Sequence, residues 1–337
     1  MKSPPVTIKD IARELGVSPS TVSRALKDHP DISASTKLQV RELVEKLKYR
    51  PNAVALSLRS RKSYTIAVIV PAIVHHFFSS VISGIDAVAN EAGYNVMIFQ
   101  SNEMYEREVK ITEAIASNQA EGVLVSVSKT SKNFKHLREL MEDGLPLVFF
   151  DRACEEIEAD KVIVDDFNGA FTAVEHLIKT GCKRIAHFSA PQHLQIGYQR
   201  KRGYISALEK HGFEIDDDLI IKCDTIEEAL ETTPKIMSLP YPPDAIFAVN
   251  DLTAIGAMKV LKKMNIKIPE EVSIIGFTDG LVSTVTDPPL STISQNGAEI
   301  GRKAMEMLLC RINALEEDYP ARTEIIETNL VIRGTTK

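Results

Sequence analysis

The spacing of apolar positions along this chain changes character once, near residue 64. Before that point it is helical. Ile8, Ile11, Ala12 and Leu15 fall at i, i+3, i+4 and i+7, which predicts a short first helix with one apolar stripe. Gly16 permits a sharp turn through backbone that a residue with a Cβ resists. Ser18 is a natural N-cap, and Pro19 suits the first helical position, where its missing N–H costs nothing. Val22, Ala25 and Leu26 face the same small core, so Pro19, Ser20, Thr21, Ser23 and Arg24 are left pointing outward. Val40, Leu43, Val44 and Leu47 repeat the stripe in a third helix, from about Ser33 to Lys48. After the break Tyr49-Arg50-Pro51-Asn52 comes Ala53–Leu58, helix-prone but too short to hold a helix without a partner.

From Tyr64 onward the apolar residues come in continuous runs: TIAVIV, NVMIF, GVLVSV and LVFF, then KVIV, RIAHF, AIFAV and VSIIGF, alternating with helical stretches. Runs apolar at every position are strands buried on both faces, and strand–helix alternation predicts doubly wound parallel sheets. One series ends near Phe150 and a second starts near Lys161, so two similar α/β subdomains are expected. In such folds ligands sit beyond the carboxyl ends of the strands, here in a cleft between two lobes.

Two helices joined by a glycine turn, the second with a bare polar face, form the helix-turn-helix pattern that offers its second helix to the DNA major groove. Charge points the same way. Met1–Lys62 holds 13 Lys and Arg against 6 Asp and Glu, a net of +7, while the whole chain is −6, so the remainder carries −13. A basic head on an acidic body is the electrostatic footprint of a nucleic-acid-binding module fused to something else. The 337 residues suffice for two or three domains. No apolar run approaches membrane-spanning length, and the start, MKSPPVTIKD, lacks an apolar signal core, so a cytoplasmic protein without membrane contact is expected. Cys154, Cys182, Cys223 and Cys310 have no C-x-x-C spacing, and neither a metal site nor a cofactor is expected. No G-x-S-x-G, Walker, H-E-x-x-H or G-x-G-x-x-G motif is present, so no catalytic residue is assigned. A sugar-transport binding protein, the other class that shares such a core, has no use for a basic head.

The order helix-turn-helix, third helix, short apolar hinge and two-lobed core resembles the LacI/GalR family of bacterial transcription regulators over nearly the whole chain. TIKDIARELGVSPSTVSRAL, YRPNAVALSLR, DDFNGAFTAVEHLIKTGCKRIAHFS, RKRGYISAL, FAVNDLTAIGAM, VSIIGFTD and PPLSTISQ carry the resemblance, in that order. It implies an all-α DNA-binding head (residues 1–50), a hinge helix (51–62), a first core subdomain (63–161 with 295–323) and a second (162–294 with 324–337), with crossings near Lys161–Asp166, Thr292–Gln295 and Glu324–Leu330. It implies a repressor that binds a pseudo-palindromic operator as a homodimer under control of a small-molecule effector, a sugar or sugar derivative. No heptad run follows Leu330, so the tetramerising tail of some relatives is not expected.

Site residues follow from the same resemblance. Pro19 and Ser20 match positions that read base edges, and Arg24 one that reaches a guanine, as the bidentate fork of arginine suits. Thr7, Thr21 and Ser23 match phosphate contacts, beside the capping Ser18, although Thr7 with Asp10 also forms a cap-like T-x-x-D. Leu58 matches the minor-groove wedge, flanked by Ala55 and the basic Arg59. Phe77, Phe78, Asp151, Arg200, Asn250, Asp251 and Thr278 match effector-cleft positions, although a strand-end Asp or Asn also commonly caps the next helix. The chain departs from the family at His75-His76, where Asn-Pro is usual, at Thr278, where an acid is common, and in having no Trp to stack on a sugar.

Overall fold

Each helix of the head starts on a hydroxyl-bearing residue and carries its apolar side chains on one stripe. In the computed structural model, which describes residues 6–49, 63–118, 120–314 and 320–337, α1 (Ile8–Leu15) opens on Thr7, whose N–H and hydroxyl both donate to Asp10 Oδ2 at 2.9 and 2.6 Å. Gly16 ends it with φ 66°, the left-handed region that only glycine enters freely. In α2 (Pro19–Leu26) Ser18 Oγ accepts the Thr21 N–H at 3.0 Å. In α3 (Ala34–Lys46) Ser33 Oγ accepts the Thr36 N–H at 3.2 Å. Ile11, Val22, Ala25 and Val40 are wholly buried between the three, and Leu26, Val44 and Leu47 are partly so. Helices of two turns are unstable alone, so this shared core is what holds them.

The chain divides into two units, Met1–Ser63 and Tyr64–Lys337. In the second, the alternation read from the apolar runs is a pair of six-stranded sheets. The first lobe runs β1 (Thr65–Val70), α4 (His76–Glu91), β2 (Asn95–Gln100), α5 (Tyr105–Ser117), β3 (Gly122–Val125), α6 (Lys135–Glu142), β4 (Leu147–Phe150) and β5 (Asp160–Val164). The second runs α7 (Asp166–Lys179), β6 (Ile185–Ser189), α8 (Gln195–Lys210), β7 (Ile220–Lys222), α9 (Ile226–Met237), β8 (Ala245–Ala248), α10 (Asp251–Lys263), β9 (Ser273–Thr278), α11 (Leu281–Val285) and β10 (Ser291–Ser294). The chain then returns through α12 (Gly297–Asn313) and β11 (Thr323–Ile326) to the first lobe, and ends with β12 (Asn329–Val331) on the second. Strand orders are β11-β5-β4-β3-β1-β2 and β12-β10-β9-β8-β6-β7, all pairings parallel except β10 with β12.

The subdomain boundaries differ from expectation. KVIV does not open the second series. It is β5, paired with β4 and β11 in the first sheet, where buried Asp160 binds the Arg311 guanidinium of α12 at 2.9 and 3.0 Å. The first crossing therefore falls after Val164 rather than 161, and the last after Ile326 rather than 323. The return of α12 is fastened by glycine: a Cβ on Gly301 would lie 2.0 Å from the Val81 carbonyl oxygen of α4, so no larger residue fits this helix crossing. The extreme C-terminus is also built in. Thr335 is fully buried, its carbonyl accepting the Ile274 N–H and its hydroxyl accepting the Ser291 N–H, both at 2.8 Å.

Candidate DNA interface and ligand cleft

On α2 the residues predicted to face outward divide by what the cap requires of them. Ser18 uses its hydroxyl on Thr21 N–H and lies 2.7 and 2.8 Å from the hydroxyls of Ser20 and Thr21, so it orders the start of the helix. Thr7 likewise orders the start of α1. Pro19, Ser20 and Arg24 are exposed, while Thr21 and Ser23 are half-buried on the flank. Ala55, Leu58 and Arg59 lie outside the described residues.

In the core, the carboxyl ends of the strands gather charged side chains from both lobes. Asp151, just past β4, is 7% exposed with φ 58°, left-handed backbone that Asp tolerates better than most residues. Its carboxylate receives one described hydrogen bond, from Ser126 Oγ at 3.3 Å, and Arg152 Nε stands 3.9 Å away. Burial pushes its pKa up, against the pull of Arg152 and Arg200. Arg200, on α8, donates from Nε to Asp166 Oδ1 at 2.8 Å, places Nη2 2.7 Å from the same oxygen, and donates from Nη1 to the Val249 carbonyl. Its guanidinium carbon lies 3.6 Å from the centre of the Phe277 ring, a cation–π contact. Arginine has five N–H donors, so this one is held rigidly with two left over.

The lobes also touch. Lys129, after β3, reaches Asp224, after β7, at 3.1 Å, and His193 Nε2 donates to the Lys129 carbonyl at 2.8 Å. Glu103 holds this corner, accepting the Lys129 N–H and both bonds from Arg152 Nη1 at 2.8 Å. Beneath it, fully buried Glu108 accepts the Ser128 N–H at 2.7 Å and the Ser131 hydroxyl at 2.8 Å, with His136 Nε2 at 3.0 Å, which fixes the loop that carries Lys129.

Several expected cleft residues have other partners. Phe78 lies in a packed core. It is 4% exposed in the first-lobe core with Val81 and Ile85, and its i, i+3, i+7 spacing with them is the helical stripe that placed it there. Phe77 is half-buried, edge-on to Phe78 at 5.2 Å, and packs against the same core. Asn250 caps α10 through the Thr253 N–H at 2.9 Å and donates to the Asp224 carbonyl at 3.0 Å. Asp251 commits both oxygens inside its lobe, to the Thr292 hydroxyl and to the Gly280 N–H at 2.9 Å. A Cβ on Gly276 would come within 2.4 Å of that carboxylate, so the glycine of SIIGFT makes its seat. Burial raises the Asp251 pKa to about 6, with both hydrogen bonds pulling it down. Thr278 donates to Gln295 Oε1 at 3.1 Å across β9 and β10.

A capped two-turn helix with an exposed polar face, ahead of a two-lobed α/β core with a charged cleft, defines a DNA-binding regulator with a ligand-binding core. Residues 63–333 match the family of periplasmic binding proteins and sugar binding domain of the LacI family, and residues 7–52 match bacterial regulatory proteins of the lacI family. The chain belongs to the LacI family. It is 33% identical to the transcriptional repressor CytR of Escherichia coli over 332 residues, covering 98% of this chain and 96% of that one. Among solved structures it resembles a complex of the transcriptional regulator CelR with cellobiose (26% identity, TM-score 0.75, 98% and 99% covered). In fold it also resembles the lac repressor dimer bound to operator and the anti-inducer ONPF (23% identity, TM-score 0.86, 99% of both chains covered). The protein is a transcription regulator of repressor type, not an enzyme. No helix among the described residues is long and apolar enough to cross a membrane.

Proposed function

We propose that this protein represses transcription in the cytoplasm as a homodimer, seating one head in each half of a pseudo-palindromic operator and responding to a sugar-like effector between the core lobes. The observation that carries the reading is the arrangement of α2: Ser18 orders its first turn, and Pro19, Ser20 and Arg24 stand exposed beside it. One head offers too little surface for tight binding, and two-fold pairing on a palindrome doubles it. Arg24 reads a base edge, Thr7, Thr21 and Ser23 contact phosphates, and Leu58, flanked by Ala55 and Arg59, enters the minor groove at the operator centre. The carbohydrate class rests on the family match to a sugar-binding domain and on the cellobiose complex of a similar regulator. In the cleft Asp151 and the spare donors of Arg200 meet the ligand, with Thr278 at the rim, while Asp251 and Asn250 hold the strand ends in place.

A gel shift on operator fragments, selected from the genome with the full-length protein, tests this directly. Two protomers per fragment and an affinity that falls steeply with salt are expected. Leu58→Ala should weaken binding while keeping half-site preference, through lost bending. Monomeric binding at full affinity would overturn the proposal.

A further inference from the structure

We propose that Lys129 is a latch between the two lobes: its ammonium on Asp224 and its carbonyl on His193 hold them at the spacing of this structure, on the side away from the chain crossings. The latch stands apart from the effector reading and does not rest on it. The three crossings follow β5, β10 and β11, the last running on into β12. β5 and β11 form one end of the first sheet, and β10 and β12 form one end of the second. Lys129 follows β3, two strands in from β5, whereas Asp224 follows β7, four strands from β10. At about 4.8 Å per strand the two groups stand about 10 and 19 Å from the hinge. Displacement in a hinge opening grows with distance from the crossings, so a contact placed here resists opening with a long lever.

Each half of the latch is anchored in its own lobe, so the pair can part without either loop unfolding. The Lys129 N–H is held by Glu103 Oε2 at 2.8 Å, the Thr130 hydroxyl donates to the Glu103 carbonyl at 2.8 Å, and Glu108 fixes the loop from beneath. Across the gap the Asp224 N–H donates to Glu228 Oε2 at 2.8 Å, and the Asp224 carbonyl accepts from Asn250. The lysine side chain is 27% exposed and the aspartate 10%, so salt reaches the pair and its hold is modest rather than permanent. Lys222 stands 2.9 Å from the other Asp224 oxygen and also pairs with Glu228. Two lysines on one carboxylate rank the variants. Lys129→Met leaves Asp224 its Lys222, whereas Asp224→Asn leaves two ammonium groups facing each other and should open the lobes further.

The test is pulsed dipolar spectroscopy on the full-length protein, with nitroxides at Lys110→Cys on α5 and Glu231→Cys on α9, both exposed positions. Exposed Cys310 is replaced by Ser, and the other three cysteines are buried and stay unlabelled. Labelled protomers are diluted in unlabelled protein, so that each distance lies within one chain. Against this background Lys129→Met should raise the ratio of long to short distances at least about threefold. Asp224→Asn should raise it further. The double variant should fall back to the level of Lys129→Met, because the facing ammonium groups are then gone. In about 1 M potassium chloride, where charges act only within about 3 Å, the parent should shift toward long distances and Lys129→Met should not. Distance distributions that neither single variant alters, or single effects that simply add in the double, would each overturn the inference. Neither ligand nor operator enters the measurement, so a failure of the effector reading leaves its outcome untouched.

Discussion

Arg24 in the head and Arg200 in the core carry the same side chain into opposite surroundings. Arg24 stands exposed on α2, whose geometry is set by a cap six residues away. Arg200 is 3% exposed and is fastened by a carboxylate, a carbonyl and an aromatic ring. The difference fits the partner proposed for each surface. A DNA-reading residue must be free before the DNA arrives, so its scaffold is rigid and the side chain itself unengaged. A cleft proposed to take a small molecule has to stay folded without it, and Arg200, Arg152 and Lys129 each stand against a carboxylate. The side chain of Arg24 can be removed without touching the fold, and that of Arg200 cannot.

The largest expected effect breaks that symmetry most visibly. Arg200→Ala leaves the Asp166 carboxylate buried and unpaired, which should cost the core about 3–5 kcal/mol in urea unfolding. Arg24→Ala should leave stability within about 0.5 kcal/mol. Equal losses in the two variants would show that the contrast is mistaken. Because of this cost, Asp151→Asn is a cleaner probe of effector response than Arg200→Ala.

The same contrast explains how much could be read without a structure. The three described helices of the head were legible, because caps, glycine turn and stripe act within a few residues of one another. The eight apolar runs became β1 to β6, β8 and β9, because burial in a sheet leaves a local mark, although β2, at the edge of its sheet, has no fully buried residue and so departs from the expected burial on both faces. KVIV was placed in the wrong series because its sheet is decided by distant partners, β11 and Arg311. The strands β7, β10, β11 and β12 are short or mixed in polarity, and their pairing is likewise decided far along the chain. In the cleft, a strand-end position pointed to Asp151, and the family resemblance pointed to Arg200 on α8. The pairs that neutralise the site, Arg152 with Glu103 and Lys129 with Asp224, join residues 49 and 95 positions apart and leave no periodic signal. The burial of Phe78 was legible from its spacing with Val81 and Ile85.

Smaller effects sharpen the comparison. Arg24→Ala should weaken operator binding by about 1–3 kcal/mol and relax preference at one symmetric base pair per half-site, read by binding to a panel of single-base operator variants. A uniform loss across all variants would make Arg24 a phosphate contact. A further effect is a pH slope. The folded pKa of Asp251 is about 6 and its unfolded value about 3.8, so between them the native state holds more protons than the unfolded one. The contribution of Asp251 to stability therefore falls as pH rises from about 4 to 6 and is level above. Asp251→Asn should remove that part of the slope in melting curves taken across this range. A difference between wild type and variant that does not change with pH would contradict the assignment.

The claim that joins the two regions is that occupancy of the cleft changes what the head does. The direct measurement is operator affinity of the full-length protein by fluorescence anisotropy, without ligand and then saturated with a sugar whose binding calorimetry has established. Coupling between sites of this kind is typically about 1–3 kcal/mol, so affinity should move by about 5- to 150-fold, in either direction, and Asp151→Asn should need more ligand for the same change. An affinity that stays constant while the cleft is demonstrably full would contradict the account.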